Sequence, residues 1–189
     1  FRFLPTYSKA KELIEDGIIG KPVAAFARAY APMPLEAPDS MLPGWFVNPE
    51  KTAGGAFVDH AVYLVDLLRY LFKSEVERVY GEMDRVVLKS YDTEDYGVAL
   101  LRFKSGAFAT VECNWFSPEF CMGMEILGTD GEIFIDDSRR PQLAVVSRKE
   151  PYKQRTHFDL PVSVTLLDIC GPIVKHFIRC LIENKTPAV

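Results

Sequence analysis

The clearest periodic segment covers residues 56–72 and follows two glycines, Gly54 and Gly55. At about 100° per residue, a helix over this segment has one apolar side and one polar side. The apolar side carries Ala61, Leu64, Val65, Leu68 and Phe72, and the polar side carries Asp59, Tyr63, Asp66 and Tyr70. A solvated helix face usually carries Lys and Glu, so two tyrosines and two aspartates suggest a face that is covered by another group; the alternative is an ordinary solvated face. The pattern predicts a core-packed helix with candidate chemistry on its outer side.

The rest of the pattern predicts two further helices and a series of hairpins. The helices are Tyr7–Asp16, which ends at Gly17, and Pro172–Glu183, with a break at Gly171 and an apolar stripe of its own. The predicted strand segments are 23–30, 76–88, 94–103, 107–116, 122–127, 132–135, 143–147 and 156–160, the last two at the edge of the sheet. We therefore expect a single domain over residues 1–189 with an α+β fold: an open, predominantly antiparallel β-sheet with helices packed on one face, a two-layer sandwich.

The least regular segment, residues 31–53, is rich in proline and surrounds Trp45. Long loops in compact domains tend to be functional. An exposed Trp ring is a good platform for a sugar, because axial C–H groups complement an aromatic face, so Trp45 is a candidate substrate-binding residue. The alternative is that Trp45 packs the loop down.

Composition narrows the classes of partner. The net charge is −4 and the basic residues are scattered singly, which argues against a nucleic-acid surface. No apolar run approaches the length of a membrane span, and the first residues lack the order of a signal peptide, so we expect a cytoplasmic protein without membrane contact. The spacing of the four cysteines favours buried free thiols over disulfides or a metal site: Cys113, Cys121, Cys170 and Cys180.

The segment from Gly54 to Leu71 resembles the glycine-led helix in the second domain of the GFO/IDH/MocA oxidoreductases, the family of glucose-fructose oxidoreductase and inositol dehydrogenase. Weaker likeness extends over nearly the whole chain, although its hairpin motifs occur in many folds. In that family the residue matching Asp59 faces the substrate, and the residue matching Tyr63 is the catalytic acid or base. That position is usually His, and some members that act on sugars or dihydrodiols have Tyr there. The resemblance implies that Tyr63 and Asp59 are catalytic residues.

The chain has no GxGxxG motif, so we do not expect it to bind a dinucleotide alone. Family members carry an N-terminal Rossmann domain before the point matching Phe1, and its Glu-Lys-Pro motif supplies a catalytic Lys. The resemblance thus implies the substrate-binding and oligomerisation half of an enzyme that uses NAD or NADP, inactive as this chain alone. The mechanism that the resemblance implies is hydride transfer, with Tyr63 taking the hydroxyl proton of a sugar, polyol or related hydroxy compound. A phenol has an ordinary pKa of about 10, so it needs a nearby cation to act as a base.

Further candidate residues come from position. His60 lies about 100° around the helix from Asp59 and is a candidate for bordering the same pocket, as a substrate-binding residue. Arg28 is a second candidate, on a strand whose alternate residues face either the helix layer or a partner subunit. Asp66 is a weaker candidate. Each has a structural alternative: Tyr63 as a packing residue, Asp59 as a carboxylate favoured by the helix dipole, and His60 as a surface or supporting side chain.

Two other functions remain open. One is a non-catalytic sheet module that forms a homodimer or homotetramer through its open sheet face and does not use the pocket. The other, within the same family, is a glycosidase that uses NAD transiently. The residues alone do not identify the substrate, the choice between NAD and NADP or the direction of the reaction.

Overall fold

The structure is a computed structural model that describes residues 1–33, 44–138, 140–161 and 166–188. The central part of the proline-rich loop, residues 34–43, lies outside the described residues. The helices are α1 (Pro5–Glu15), α2 (Pro49–Thr52), α3 (Ala56–Phe72) and α4 (Leu166–Glu183), with a 3₁₀ turn at Gly44–Val47. The strands are β1 (Pro22–Tyr30), β2 (Val76–Asp84), β3 (Tyr96–Phe103), β4 (Phe108–Asn114), β5 (Cys121–Gly128), β6 (Gly131–Asp136), β7 (Leu143–Ser147) and β8 (Thr156–Phe158).

In the described ranges the strands form one open sheet of eight, in the order β2-β3-β4-β1-β5-β6-β7-β8. β1 runs parallel to β4, with Ala27 opposite Val111, and every other pair of neighbours is antiparallel. Both predicted hairpins form, one from β3 and β4 and one from β5 and β6. The predicted α+β fold with a largely antiparallel sheet is confirmed.

The core lies between the sheet and the helices α1 and α3. Small residues at the centre of the sheet, Ala25, Ala27 and Ala29 of β1, are at most 3% exposed and let α3 approach closely. From α3, Leu64 and Leu68 are fully buried against them. The apolar side of α3 thus packs as its periodicity predicts.

The other side of the sheet is not covered by any helix of the described chain. We call this surface the open face and define it by outward residues of three central strands: Phe26, Arg28, Leu100, Phe108 and Glu112. Phe26, Leu100 and Phe108 are 54%, 44% and 45% exposed. Large apolar residues therefore lie on a face that also carries charge.

Two predictions about single elements are wrong. β7 lies between β6 and β8, so of the two predicted edge strands only β8 is at an edge, and β2 forms the opposite edge. The last helix begins at Leu166 and continues through Gly171 and Pro172. We expected Pro in the first turn, but a helix can continue through Pro with the loss of one hydrogen bond.

The apolar stripe of α4 does not pack on the core. Ile173 is half-buried, and the other five members are between 49% and 80% exposed: Val174, Phe177, Ile178, Leu181 and Ile182. Through His176 in its middle, α4 contacts the start of the chain, where the rings of His176 and Phe3 are 4.9 Å apart.

The four cysteines are free, and Cys113 and Cys180 are buried as predicted, whereas Cys121 is half-buried and Cys170 is exposed. Across the described ranges, no three His, Cys, Asp or Glu side chains are grouped to hold a metal ion. None of the helices in this part of the chain is long and apolar enough to cross a membrane.

Candidate active site

The polar side of α3 divides into a covered half and a half that lines a cleft. The Arg2 guanidinium donates two hydrogen bonds to Asp66, with Nε 2.8 Å from Oδ2. The Tyr70 ring lies beneath Arg2 and Lys11, whose guanidinium carbon and Nζ are 5.1 and 4.7 Å from the ring centroid. Asp66 and Tyr70 therefore both contact basic residues of the chain, and the Asp66 side chain stays 39% exposed.

The cleft lies at the start of α3 and has a volume of about 330 Å³. Its walls come from the 3₁₀ turn, α2 and the first two turns of α3. The lining residues are Trp45, Lys51, Thr52, Gly54, Val58, Asp59, Val62 and Tyr63. Trp45 and Tyr63 are 45% and 42% exposed, so both rings are accessible to a ligand. The structure brings together three of the five residues that we predicted to form the site.

The short helix α2 places two lining residues that the sequence analysis missed, Lys51 and Thr52. Asn48 starts α2, because its side-chain oxygen accepts a hydrogen bond from the Glu50 N–H at 3.0 Å. The Thr52 hydroxyl is 2.8 Å from the Gly54 carbonyl oxygen and donates to it. The Asn-Pro pair at 48 and 49 was the available signal, since Pro favours the first helical position after a cap.

The pKa values of both candidate catalytic groups are raised, so each group stays protonated to a higher pH than the same side chain free in water. Burial raises the pKa of Tyr63, and the Asp59 carboxylate and Cys170 raise it further. Burial also raises the pKa of Asp59, while the charge of His60 opposes this rise. At neutral pH Tyr63 is a protonated phenol, which is a proton donor rather than a base.

His60 lies behind the cleft and does not line it. Its side chain is buried between the rings of Trp115 and Phe120, at centroid distances of 6.5 and 6.1 Å. Its Nδ1 is 3.2 Å from the Ala56 carbonyl oxygen and 3.4 Å from Asp59 Oδ2. His60 thus contacts Asp59 from behind the cleft, and its predicted role as a substrate-binding residue stays a prediction.

Arg28 lies on the open face, on the side of the sheet away from α3. Its guanidinium Nη2 is 2.9 Å from Asp136 Oδ2, and it lines a separate cleft with Tyr30 and Glu112. The structure therefore does not bring Arg28 together with Asp59 and Tyr63. Of the two directions that the strand pattern left open, Arg28 points away from the helix layer.

The start of α3 is capped by a residue from another part of the chain, Glu94. Its carboxylate accepts hydrogen bonds from the N–H groups of Gly55, Phe57 and Val58, at 2.6, 3.2 and 3.2 Å. Its carbonyl oxygen accepts from the Ala56 N–H at 2.9 Å. A helix start is an anion site only while its N–H groups are free to bind one. The glycine pair before α3 is therefore not a phosphate-binding loop.

Comparison with family models matches residues 7–134 to the GFO/IDH/MocA C-terminal domain, which is more than half of the chain. This chain belongs to the GFO/IDH/MocA family. The match includes α3 with Asp59 and Tyr63, so the family resemblance of the glycine-led helix is confirmed. The catalytic roles of the two side chains stay predictions.

Curated members of the GFO/IDH/MocA family that resemble the chain include two inositol dehydrogenases. The chain is 31% identical to scyllo-inositol 2-dehydrogenase (NAD(+)) of Bacillus subtilis over 196 aligned positions, which cover 100% of the chain and 52% of the relative. It is 30% identical to myo-inositol 2-dehydrogenase of Thermotoga maritima, over 78% of the chain and 42% of the relative. The chain thus spans about half the length of these relatives.

Solved structures share the fold. Levoglucosan dehydrogenase in complex with NADH and levoglucosan superposes with a TM-score of 0.83 at 21% identity, over 99% of the chain and 56% of that protein. A probable dehydrogenase from Thermotoga maritima superposes with a TM-score of 0.73 at 26% identity, over 100% of the chain and 55% of that protein. The eight-stranded sheet with α3 at its centre is therefore an architecture shared with dehydrogenases of about twice this length.

Proposed function

We propose that this chain is the substrate-binding and oligomerisation half of an NAD(P)-dependent oxidoreductase that acts on a sugar, polyol or related hydroxy compound. The observation that carries the proposal is that Tyr63, Asp59 and Trp45 line one cleft at the start of α3, whereas Asp66 and Tyr70 of the same helix contact Arg2 and Lys11. Family membership supports the reaction class. The names of the inositol dehydrogenases to which the chain is similar support the substrate class.

Tyr63 is the proton donor or acceptor in this proposal. With its raised pKa, the phenol gives its proton to the substrate oxygen when a carbonyl group is reduced to a carbinol. In the reverse direction the carbinol carbon loses a hydride and the hydroxyl loses a proton to Tyr63. That direction requires a cation close to the phenol oxygen, because burial and Asp59 both oppose phenolate. This cation is supplied either by Lys51, which lines the same cleft, or by a Lys from another domain.

Asp59 and Trp45 bind the substrate. Asp59 accepts hydrogen bonds from substrate hydroxyl groups, and His60 behind it fixes the direction of the carboxylate. Trp45 covers one apolar face of a sugar or polyol ring. These two contacts orient the reacting carbinol towards Tyr63.

The described residues do not fit a dinucleotide by themselves. The glycine-led start of α3 is occupied by Glu94, and the chain has no GxGxxG. The nicotinamide, which supplies or accepts the hydride, is in this proposal held by a separate Rossmann domain of a longer protein. This chain alone is expected to be inactive.

The test is Tyr63→Phe in the full-length protein, assayed with NAD and NADP against inositols and other polyols. The substitution removes only the hydroxyl, so we expect kcat to fall by about 100-fold or more with the protein still folded. Tyr70→Phe is the matched control, since it makes the same change in the same helix under the Arg2 and Lys11 side chains, and it should leave kcat unchanged. Wild-type turnover in Tyr63→Phe refutes the role of Tyr63. Release of product from a glycoside without net cofactor reduction indicates the glycosidase instead.

The open face supports the oligomerisation part of the proposal. Phe26, Leu100 and Phe108 expose apolar surface beside Arg28 and Glu112, and exposed apolar patches rimmed by polar groups are typical of protein interfaces. Two copies packed through this face would bury these residues and form a homodimer or, with a second interface, a homotetramer. If the full-length protein shows no oxidoreductase activity but assembles through this face, the non-catalytic sheet module is the better description.

A further inference from the structure

α3 begins on a glycine and has no side-chain cap of its own. The first N–H groups of a helix have no partner within it. Here the N–H groups of four consecutive residues, 55–58, all donate to Glu94, three to its carboxylate and one to its carbonyl oxygen. Hydrogen bonds to a charged acceptor are about twice as strong as neutral ones. One residue therefore holds the whole first turn of the helix that carries Asp59 and Tyr63.

The close approach of Glu94 explains Gly55, the second glycine of the pair. A Cβ atom on Gly55 would lie 2.0 Å from the Glu94 carbonyl oxygen, and one on Gly54 would lie 2.3 Å from Val58 Cγ2. No side chain fits in either place without moving the backbone. Gly55 thus allows the segment that contains Glu94 to reach the helix, whereas Gly54 leaves room for the Val58 side chain.

Glu94 is itself held in a fixed segment. Its neighbours Thr93 and Asp95 are 4% and 1% exposed. The Asp95 carboxylate accepts hydrogen bonds from the N–H groups of Val86 and Val87 at 2.7 and 2.8 Å, and the Trp115 N–H donates to the Asp95 carbonyl oxygen at 2.9 Å. The cap of α3 is therefore connected rigidly to the sheet.

We propose that Glu94 is a positioning residue for the reaction, acting through the first turn of α3 on Asp59 and Tyr63. The inference rests on the proposed function. Asp59 follows Val58, the last residue that Glu94 holds, and Tyr63 lies one turn further along. The C-terminal part of α3 stays packed through Leu68 and the core without Glu94. Loss of the carboxylate should thus loosen the start of α3 more than it destabilises the fold.

The first measurement is amide hydrogen exchange in the full-length protein, comparing the wild type with Glu94→Gln. Gln keeps the size of the side chain but replaces one acceptor oxygen with a donor that faces helix N–H groups. We expect the amides of residues 55–58 to exchange at least about tenfold faster. Glu75→Gln is the matched control, because Glu75 accepts two hydrogen bonds from Arg69 near the other end of α3 and is remote from the cleft. Unchanged exchange at residues 55–58 in Glu94→Gln overturns the inference.

The second measurement is steady-state kinetics on the same variants. Misplacement of catalytic groups by about 1 Å lowers turnover by about 100-fold, so we expect kcat to fall at least about tenfold in Glu94→Gln, with a smaller change in KM. Glu75→Gln should keep the wild-type kcat. A merely structural role would lower the denaturation midpoint without this change in kcat.

The outcomes separate the two ideas. If Tyr63→Phe is inactive and Glu94→Gln keeps the wild-type kcat, the positioning role is wrong and the proposed function stands. If Tyr63→Phe keeps the wild-type kcat, the proposed role of Tyr63 is wrong, and with it the inference that Glu94 acts through Tyr63. If the full-length wild type shows no oxidoreductase activity, the proposed function itself is wrong. If Glu94→Gln does not fold, Glu94→Asp keeps the charge and shortens its reach by one methylene group. The same loss of protection and of kcat is then expected, and wild-type values would overturn the inference.

Discussion

A half-buried carboxyl group at the end of β6 should make the stability of this domain depend on pH. Asp137 Oδ2 is 3.1 Å from the hydroxyl of Tyr7, a fully buried residue of α1. Burial raises the pKa of Asp137 from its ordinary 3.8 to about 6, the Tyr7 hydrogen bond opposes the rise, and Asp136 adds to it. The folded protein therefore binds a proton at Asp137 more tightly than the unfolded chain does.

The sign and size of the effect follow from linkage. Because the pKa is raised in the folded state, stability falls as pH rises from about 4 to 6, and the loss is complete above the folded pKa. One pKa unit corresponds to about 1.4 kcal/mol, so the shift of Asp137 amounts to at most about 3 kcal/mol. Asp137→Asn removes the titration, and its amide oxygen still accepts the Tyr7 hydrogen bond. We expect the variant to be more stable than the wild type by up to about 3 kcal/mol at pH 8 and equally stable near pH 4.

The assay is urea denaturation of the wild type and Asp137→Asn at a series of pH values between 4 and 8. Asp92→Asn is the control, because it makes the same substitution at a side chain that is 84% exposed. The reasoning is refuted if the stability difference between Asp137→Asn and the wild type is the same at pH 4 and pH 8.

Two further predictions concern the helix start and the open face. Gly55→Ala should lower the free energy of unfolding, measured by urea denaturation, by about 1 to 3 kcal/mol, because the added Cβ meets backbone atoms. Gly171→Ala is the control: its Cβ meets open space, so the substitution should be neutral or stabilising. A stable Gly55→Ala variant would contradict the close approach to Glu94. Phe26→Asp should lower the mass measured by sedimentation velocity, while Ile182→Asp on α4 should not. An unchanged mass for Phe26→Asp would exclude association through the open face.

The elements with local signals could be predicted from the sequence. The turn at Asp130-Gly131 lies between two apolar runs, and the structure places β5 and β6 on either side of it. α3 follows its periodicity, because Leu64 and Leu68 must be buried for the helix to be stable at all. In both cases the signal spans fewer than about 20 residues.

The features that depend on distant parts of the chain could not be predicted. Nothing near β1 indicates that its parallel neighbour is β4, and nothing near Gly55 indicates that Glu94 caps the helix. α4 has the sequence pattern of a core-packed helix, yet in the described chain its apolar stripe is exposed. Periodicity indicates that a helix has an apolar side but does not indicate which surface that side packs against. In the site, Trp45 is brought to Asp59 by the fold of α2. Arg28 is placed on the other side of the sheet because its neighbours Ala27 and Ala29 take the helix side.

The place of β1 in the sheet has a consequence for how the protein is made. β1 is synthesised before all its partners. In the folded sheet, Ala25 of β1 pairs with Ala109 on β4 and with Ile126 on β5. On the ribosome both edges of the nascent β1 segment therefore stay unpaired while most of the domain is translated. The hairpins that follow can close as they emerge, whereas the centre of the sheet forms only when β1 inserts between them. Such long-range pairing is slow, and unpaired strand edges are prone to aggregation. A chaperone would therefore help most before β1 inserts between β4 and β5.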